Sequence, residues 1–182
     1  VKLFRPNLHI ILPENQDTHK NNKQPLISKN LVIENGNIEI LKFDKSKFLS
    51  IENLSLNIEN LKLTEKEVSR KLPIVFDQYS IKSKAFHFYP DEVYHISAAE
   101  INTENGQMSV TDFSMKPLMN FSEFSRKFPR KSLLDISSQK MKFKDIVLKK
   151  NKISLSEVRF SEPHLTVYSS GNQIKNKNKP FT

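Results

Sequence analysis

Two histidines and two carboxylates lie within nine residues of each other and could hold a metal ion. They are His87, Asp91, Glu92 and His95, and zinc accepts this mixture of imidazole and carboxylate ligands. A tight turn between them would pair His87 with Tyr94 and point the two imidazoles to opposite faces of a sheet. We therefore predict no metal here and interpret both histidines as ordinary strand residues.

The other residue types that carry chemistry form no recognisable catalytic pattern. The chain has no cysteine, which excludes a disulfide framework and a cysteine-ligated zinc site. It has only three glycines and lacks a nucleophile elbow, a dinucleotide-binding loop and a P-loop. We predict a protein that is not an enzyme, with no catalytic residues and no cofactor.

Internal repeats organise the chain, and they decide how its elements are interpreted. The matched segments keep their order along the sequence, which indicates tandem units of about 57–69 residues. Glu100 and Glu157 share one repeat position, which favours a structural role over a unique catalytic one. The matches are 49–56 with 108–115, 67–73 with 123–129, 96–110 with 153–167, and 1–10 with 158–167.

The stretch "LSIENLSLNIENLKL" at 49–63 decides between helix and strand. Its apolar residues alternate, but the alternation slips by one residue twice, at Glu52-Asn53 and again between Ile58 and Leu61. The second copy slips at the same place as the first of these, and Pro117, seven residues after Val110, excludes a heptad helix there. We interpret both copies as strands with a bulge, and expect the slip to move the apolar residues to the other face.

Turn and capping signals divide the remaining sequence. Hairpins or turns are predicted at Asn35-Gly36, Pro90-Asp91, 104–106 and 161–163, and long strands at 74–88 and 133–148. Thr64-x-x-Glu67 and Asn120-x-x-Glu123 predict short helices near 65–72 and 121–128.

The predicted fold is mainly β: an antiparallel, extended, twisted sheet built from tandem repeats, with two short helices. Residues 1–13 would be the tail strand of a preceding repeat and 14–25 a polar linker. Residues 26–171 would form the tandem repeats, and 172–182 a linker or tail rich in lysine and asparagine.

The net charge of +9 is compatible with an anionic binding partner. We interpret the basic stretch from Arg126 to Lys152 as a solvated face. Phe128 and Phe143 recur where the earlier copy has Leu72 and Phe86, as core residues would. We therefore expect no nucleic acid partner.

Several segments together resemble AsmA-like proteins of Gram-negative envelopes. They are "LFRPNLHII" at 3–11, "LVIENGNIEI" at 31–40, "YHISAAEI" at 94–101, "MSVTDFSMKP" at 108–117, "FSEFSRKF" at 121–128 and "ISLSEVRFSEPHLTVY" at 153–168. The resemblance covers nearly the whole chain and implies a β-rich periplasmic segment of a protein anchored to the inner membrane, through a segment absent from this chain. It also implies a role in phospholipid transport or outer-membrane assembly, and it transfers no catalytic motif.

The expected partners are phospholipid or another anionic envelope lipid, and adjoining repeats of the same longer chain. A protein-interaction module that uses strand edges or a basic patch, without lipid, is the alternative. Because the slip was expected to change faces, only half of the candidate groove residues would line one surface. These candidates are Leu49, Ile51, Leu54, Leu56, Met108, Val110, Phe113 and Met115.

Overall fold

The computed structural model describes residues 1–12, 14, 26–63, 78–104, 106–149 and 152–169. Within these ranges it contains twelve strands and one helix, α1 (Phe121–Lys127). The strands are β1 (Lys2–Phe4), β2 (Asn7–Ile11), β3 (Leu26–Leu41), β4 (Lys47–Leu63), β5 (Gln78–Phe88), β6 (Tyr94–Glu104), β7 (Gln107–Pro117), β8 (Leu133–Lys144), β9 (Val147–Lys149), β10 (Lys152–Ser154), β11 (Glu157–Ser161) and β12 (His164–Tyr168).

Ten of these strands form one open sheet, which confirms the prediction of a mainly β fold. The order is β1-β3-β4-β5-β6-β7-β8-β11, with β2 beside β3 and β12 beside β8. From β3 to β12 all neighbouring strands are antiparallel, whereas β1 and β2 run parallel to β3. β9 and β10 pair with each other as a separate small hairpin.

Two of the predicted turns are wrong. Asn35-Gly36 lies inside β3, which continues through it as an irregularity of the β3–β4 ladder. Gly36 is buried opposite Leu54, and a Cβ there would lie 2.8 Å from Ile33 Cγ2. The glycine therefore allows close packing within a strand, where we had expected a hairpin. Residues 161–163 also form no hairpin, because β11 and β12 both pair with β8.

The turns predicted around residues 90 and 105 are confirmed. β5 and β6 are antiparallel neighbours joined through Pro90-Asp91, and the side chain of Asp91 accepts hydrogen bonds from the backbone N–H groups of Val93 and Tyr94. β6 and β7 form the second hairpin, in which Gly106 has a φ of 72°. That left-handed conformation is one that glycine adopts without steric cost.

One of the two predicted helices is confirmed and the other lies outside the described residues. Asn120 caps α1, and its side chain accepts a hydrogen bond from the backbone N–H of Glu123 at 2.9 Å. Residues 65–72, the other predicted helix, belong to the undescribed part, as do residues 15–25 and 172–182 of the predicted linkers.

The buried apolar residues of the described part include two small clusters, with Ile33, Leu54 and Leu61 buried outside them. In one, Val93, Phe124 and Leu133 are buried, so that α1 packs at the end of the sheet where β6 and β8 begin. The other lies within the sheet around Ala98, Val110 and Met141. Neither cluster includes a second sheet, because the described strands other than β9 and β10 all belong to one.

Candidate functional site

A line of left-handed residues crosses the sheet near the middle of its strands. Each of these residues has a φ between 47° and 53°, a conformation that costs a non-glycine residue roughly 1–2 kcal/mol. The register of the ladders places them at one level across the sheet, although β6 and β8, which lie between members of the set, contribute no left-handed residue. We call this set the left-handed line: Arg5, Asn35, Asn53, Ala85, Asp112 and Glu162.

The left-handed line keeps the apolar side chains on one face. Met108 and Val110 lie before it on β7, and Phe113 lies after it. All three belong to the same cluster around Ala98 and Met141. The expectation that the slip would move half of the candidate residues to the other face is therefore wrong. The alternation of side chains is reset at Asp112 while the register with β6 and β8 continues unshifted, so the spacing changes in the sequence while the face does not.

An unbroken row of apolar residues shows the extent of this face. Each member is the direct register partner of the next, and the row crosses eight strands. Its inner members are half-buried, and its two ends are exposed. We call it the apolar row: Ile10, Ile40, Leu49, Phe88, Ile96, Met115, Ile136 and Leu165.

The eight residues predicted from the sequence lie on both sides of the left-handed line. Leu54 and Val110 are buried, at 5% and 6% exposure, and the other six are half-buried. Leu49 and Met115 belong to the apolar row itself. Leu56 pairs with Ile33 on one side and Ile81 on the other, which continues the apolar surface beyond the line.

Sequence reasoning missed six members of the row, all on other strands: Ile10, Ile40, Phe88, Ile96, Ile136 and Leu165. They were not singled out because the search used only the matched segments at 49–56 and 108–115. The matches of 96–110 with 153–167 and of 1–10 with 158–167 contain Ile10, Ile96 and Leu165, so the repeats carried a signal for these three. Phe88 and Ile136 lie outside the matched segments, and the repeats do not indicate them.

The residues next to the apolar row form a polar row on the opposite face. Ser97 and Ser114 share a hydrogen bond at 2.9 Å, and His9 lies 3.0 Å from a carboxylate oxygen of Glu39. This row also runs from edge to edge through direct register partners. We call it the polar row: His9, Glu39, Ser50, His87, Ser97, Ser114, Ser137 and His164.

The two histidines considered as metal ligands lie together, and the expectation that they point to opposite faces is wrong. His87 Nδ1 and His95 Nε2 are 3.0 Å apart, and the rings are stacked. The reason is the register: Phe88 pairs with Ile96, so His87 and His95 share a face. Burial, and then the nearby His87, lower the pKa of His95.

The carboxylates of the same stretch are used elsewhere. Asp91 caps the turn, and Glu92 makes an ion pair with Lys127 at 2.9 Å. Among the described residues there is no group of three histidine, cysteine or acidic side chains placed to hold a metal ion. In this stretch Asp91 therefore stabilises the turn, and His87 and His95 stack on each other.

A basic depression of about 450 Å³ lies near the β11 edge of the sheet. Lys140, Lys142 and Arg159 are among the residues that line it. Glu157 pairs with Lys144 at 2.8 Å and also with Arg159. Hydrogen bonds from Lys144, and then from Arg159, lower the pKa of the Glu157 carboxyl. Within the described ranges no carboxylate lies within ion-pair distance of Lys140 or Lys142, so this surface is positively charged.

No model of a protein family matches this chain, and no curated protein or solved structure matches it either. In the part of the chain that the structure describes, no helix has the length and apolar character needed to span a bilayer. Functional arguments therefore rest on the geometry of the sheet and on the sequence.

Proposed function

We propose that this chain is a non-enzymatic, lipid-contacting segment of a periplasmic protein of AsmA-like type, anchored to the inner membrane. In this proposal the apolar face contacts the acyl chains of phospholipid, and the polar face stays in water. The observation that carries the proposal is the apolar row, which crosses eight strands without a polar member.

The dimensions of the apolar row suit a hydrocarbon chain. Strands in a sheet lie about 4.8 Å apart, so eight neighbouring strands extend over roughly 34 Å. The hydrocarbon core of a bilayer is about 30 Å thick and contains two layers of acyl chains, so one chain needs about 15 Å. One acyl chain could therefore lie along the row without leaving apolar contact.

Among the described residues no second large sheet packs on this face. An apolar surface removed from water contributes about 25 cal/mol per Å², and about 0.8 kcal/mol for each buried methylene group. Large exposed apolar patches on proteins mark surfaces that bind a partner or a lipid. An acyl chain on the apolar row would gain this free energy along its length without requiring hydrogen bonds.

Lipid extraction with matched variants tests the proposal. The protein is purified from a bacterial host without detergent, and the extracted lipid is identified by mass spectrometry. Met115→Asp places a charge on the apolar row, whereas Ser114→Asp places the same charge on the polar row of the same strand. We expect stoichiometric phospholipid in the wild type and in Ser114→Asp, and at least a tenfold loss in Met115→Asp.

Circular dichroism and size-exclusion chromatography must show that all three proteins are folded and monodisperse. Absence of lipid from a well-folded wild-type sample would contradict the proposal. Equal lipid in Met115→Asp and Ser114→Asp would contradict it as well, because binding would then not depend on the apolar face.

The basic depression favours a second candidate function, a charge-driven interaction with a protein partner. Lys140 and Lys142 are exposed and have no acidic partner among the described residues. Salt distinguishes the two functions, since exposed charges are screened beyond about 8 Å at physiological ionic strength. A partner that is lost in 0.5 M salt and in Lys142→Glu, while bound lipid is retained, would support this second function.

A further inference from the structure

The two outer strand pairs of the sheet, β1–β2 and β11–β12, are copies of one sequence segment. Shifting β2 by 157 residues gives the bounds of β12, and the same shift places β1 inside β11. Arg5 and Glu162, which interrupt the two copies, have φ values of 48° and 49°, and proline follows each of them. The sequence match of 1–10 with 158–167 is therefore also a match of backbone conformation.

Each copy is seen with a different neighbour. β1 and β2 lie parallel to β3, whereas β11 and β12 lie antiparallel to β8. A strand in a sheet has two edges, and each copy uses one of them. The edge that β3 occupies on β1–β2 corresponds to the edge of β11–β12 that no described strand occupies.

The backbone groups agree with this correspondence. Arg5 donates its N–H to Glu34, and Pro6 accepts from the N–H of Asn37, both at 2.8 Å. On the other copy, the carbonyl of Ser161 accepts from the hydroxyl of Ser138 on β8 at 2.7 Å. Because neighbouring residues of a strand direct their backbone groups to opposite edges, the N–H of Glu162 points away from β8.

The apolar side chains at this edge are open. Phe160, Leu165 and Val167 are 53%, 61% and 52% exposed. Their counterparts beside β3 are Leu3, Leu8 and Ile10, which are 38%, 39% and 44% exposed. Within each matched pair the residue beside β3 is the less exposed one, so the free edge lacks a cover that the other copy has.

We propose that the free edge of β11–β12 binds, in parallel orientation, the β3-type strand of another unit of this repeat. An extended strand added to an open sheet edge gains backbone hydrogen bonds, and alternate side chains give it specificity. The β1–β3 and β2–β3 ladders define the expected register. Phe160 would lie opposite the residue equivalent to Ile33, Leu165 opposite that of Ile38, and Val167 opposite that of Ile40.

This interaction would extend the apolar row into the next unit. Ile40 is the β3 member of that row, and Leu165 is its last member on β12. The proposal is independent of lipid, because it rests on backbone pairing and on the two copies of one strand. It would hold if the apolar face contacted another protein.

The test uses the full chain and a synthetic peptide with the sequence of residues 26–41. Amide hydrogen exchange is measured with and without the peptide. We expect at least tenfold slower exchange at Leu165 and Val167, whose N–H groups point to the free edge. The amides of Thr166 and Tyr168 point to β8 in both states and act as an internal reference. A peptide of the same composition in scrambled order is the first control.

Two variants of the same strand sharpen the test. Leu165→Lys should abolish the protection, because it places a charge among the apolar side chains of the edge. Thr166→Lys places the same charge on the opposite face and should leave the protection in place. A nitroxide at the peptide N-terminus should broaden the signals of Val158 more than those of Tyr168 if the strands are parallel.

Three results would overturn the proposal. One is unchanged exchange at Leu165 and Val167 in excess peptide, and another is equal protection by the scrambled peptide. The third is stronger broadening at Tyr168 than at Val158, which would mean antiparallel pairing. Protection that increases with protein concentration in the absence of peptide would assign the edge to a second copy, and would overturn it too.

Discussion

The two faces of the sheet are formed by the same strands but differ in the interactions that their side chains make. On the polar face, Ser97 bonds to Ser114 and His87 lies against His95, so its side chains find partners within the face. On the apolar face, Met115 and Ile136 are register partners of each other and of Ile96 and Leu165, respectively. Apolar surface left open to water is unfavourable, whereas polar surface is not. The apolar face is therefore the one on which a partner would gain free energy by excluding water.

The left-handed line makes this difference possible along the whole length of the strands. Without it, the alternation of β7 would place Val110 and Phe113 on opposite faces. With it, both residues belong to one cluster. Strained backbone at one position of several strands thus keeps most apolar side chains on one face, with Ser83, Thr103 and Ser138 as buried polar exceptions.

The largest expected effect is the loss of a buried side chain from the apolar face. Leu54 is 5% exposed, and Leu54→Ala should lower the free energy of unfolding by about 2–5 kcal/mol through lost contacts and a cavity. The neighbouring Ser55 belongs to the polar face, and Ser55→Ala should change it by less than about 0.5 kcal/mol. Urea unfolding followed by circular dichroism measures both. Equal losses would mean that the two faces do not differ in this way.

A smaller effect of opposite sign is expected at the left-handed line. Ala85 has a φ of 47°, and glycine adopts this conformation without the clash of a Cβ. Ala85→Gly should therefore raise the free energy of unfolding by about 0.5–1 kcal/mol, despite the greater entropy of the unfolded chain.

Ala98→Gly is the matched control for this prediction. Ala98 is 4% exposed within the central cluster and has no left-handed backbone, so its replacement should destabilise the protein by about 1 kcal/mol. Thermal unfolding of both variants gives the two signs. Destabilisation of similar size in both would refute strain at Ala85.

Much of the architecture could be predicted from the sequence because the repeats record it. Two matched segments with the same slip predicted strands at β4 and β7, and the Asn120 cap predicted α1. The parallel pairing of β1 and β2 with β3 could not be predicted. It depends on which long strand the outer segment meets, and alternation within one segment contains no information about that neighbour.

The two wrong turn predictions share one physical cause, which is that turn residues also occur inside or between strands that do not reverse. Asn35-Gly36 and Glu162-Pro163 are typical of turns, yet both lie on the left-handed line or next to it. Local sequence predicts the backbone conformation of these residues but not whether the chain reverses there. The histidine error has a different cause: the predicted turn before Tyr94 was shorter than the one formed, which gave the wrong register, and the register sets the face.

The smallest expected effect concerns the histidine stack on the polar face. Burial, and then the charge of His87, lower the pKa of His95 below its ordinary value of 6.5. The folded state therefore favours neutral His95, and the unfolded chain takes up the proton first as the pH falls. This contribution to stability is complete above about pH 6.5 and is lost as the pH falls through the lowered pKa.

His95→Gln should remove this pH dependence. Between pH 8 and pH 5 the wild type should lose more stability than the variant, and urea unfolding across this range measures the difference. Near pH 8 His95 is neutral in both states, so the difference in unfolding free energy between the two proteins should not change with pH there, which provides the control. A wild type whose stability changes with pH in parallel with the variant would contradict a role for His95.

The most direct test of the central claim is to find which face meets acyl chains, on both sides of the left-handed line. The chain has no cysteine, so each introduced cysteine can be labelled uniquely with an environment-sensitive fluorophore. Leu56→Cys and Met115→Cys report the apolar face on the two sides of the line, because β4 and β7 run in opposite directions. Ser55→Cys and Ser114→Cys report the polar face on the same two sides. Phospholipids with brominated acyl chains should quench both apolar labels several-fold more than both polar labels. Equal quenching on the two faces, or quenching of only one of the two apolar labels, would contradict a single continuous apolar face that contacts lipid.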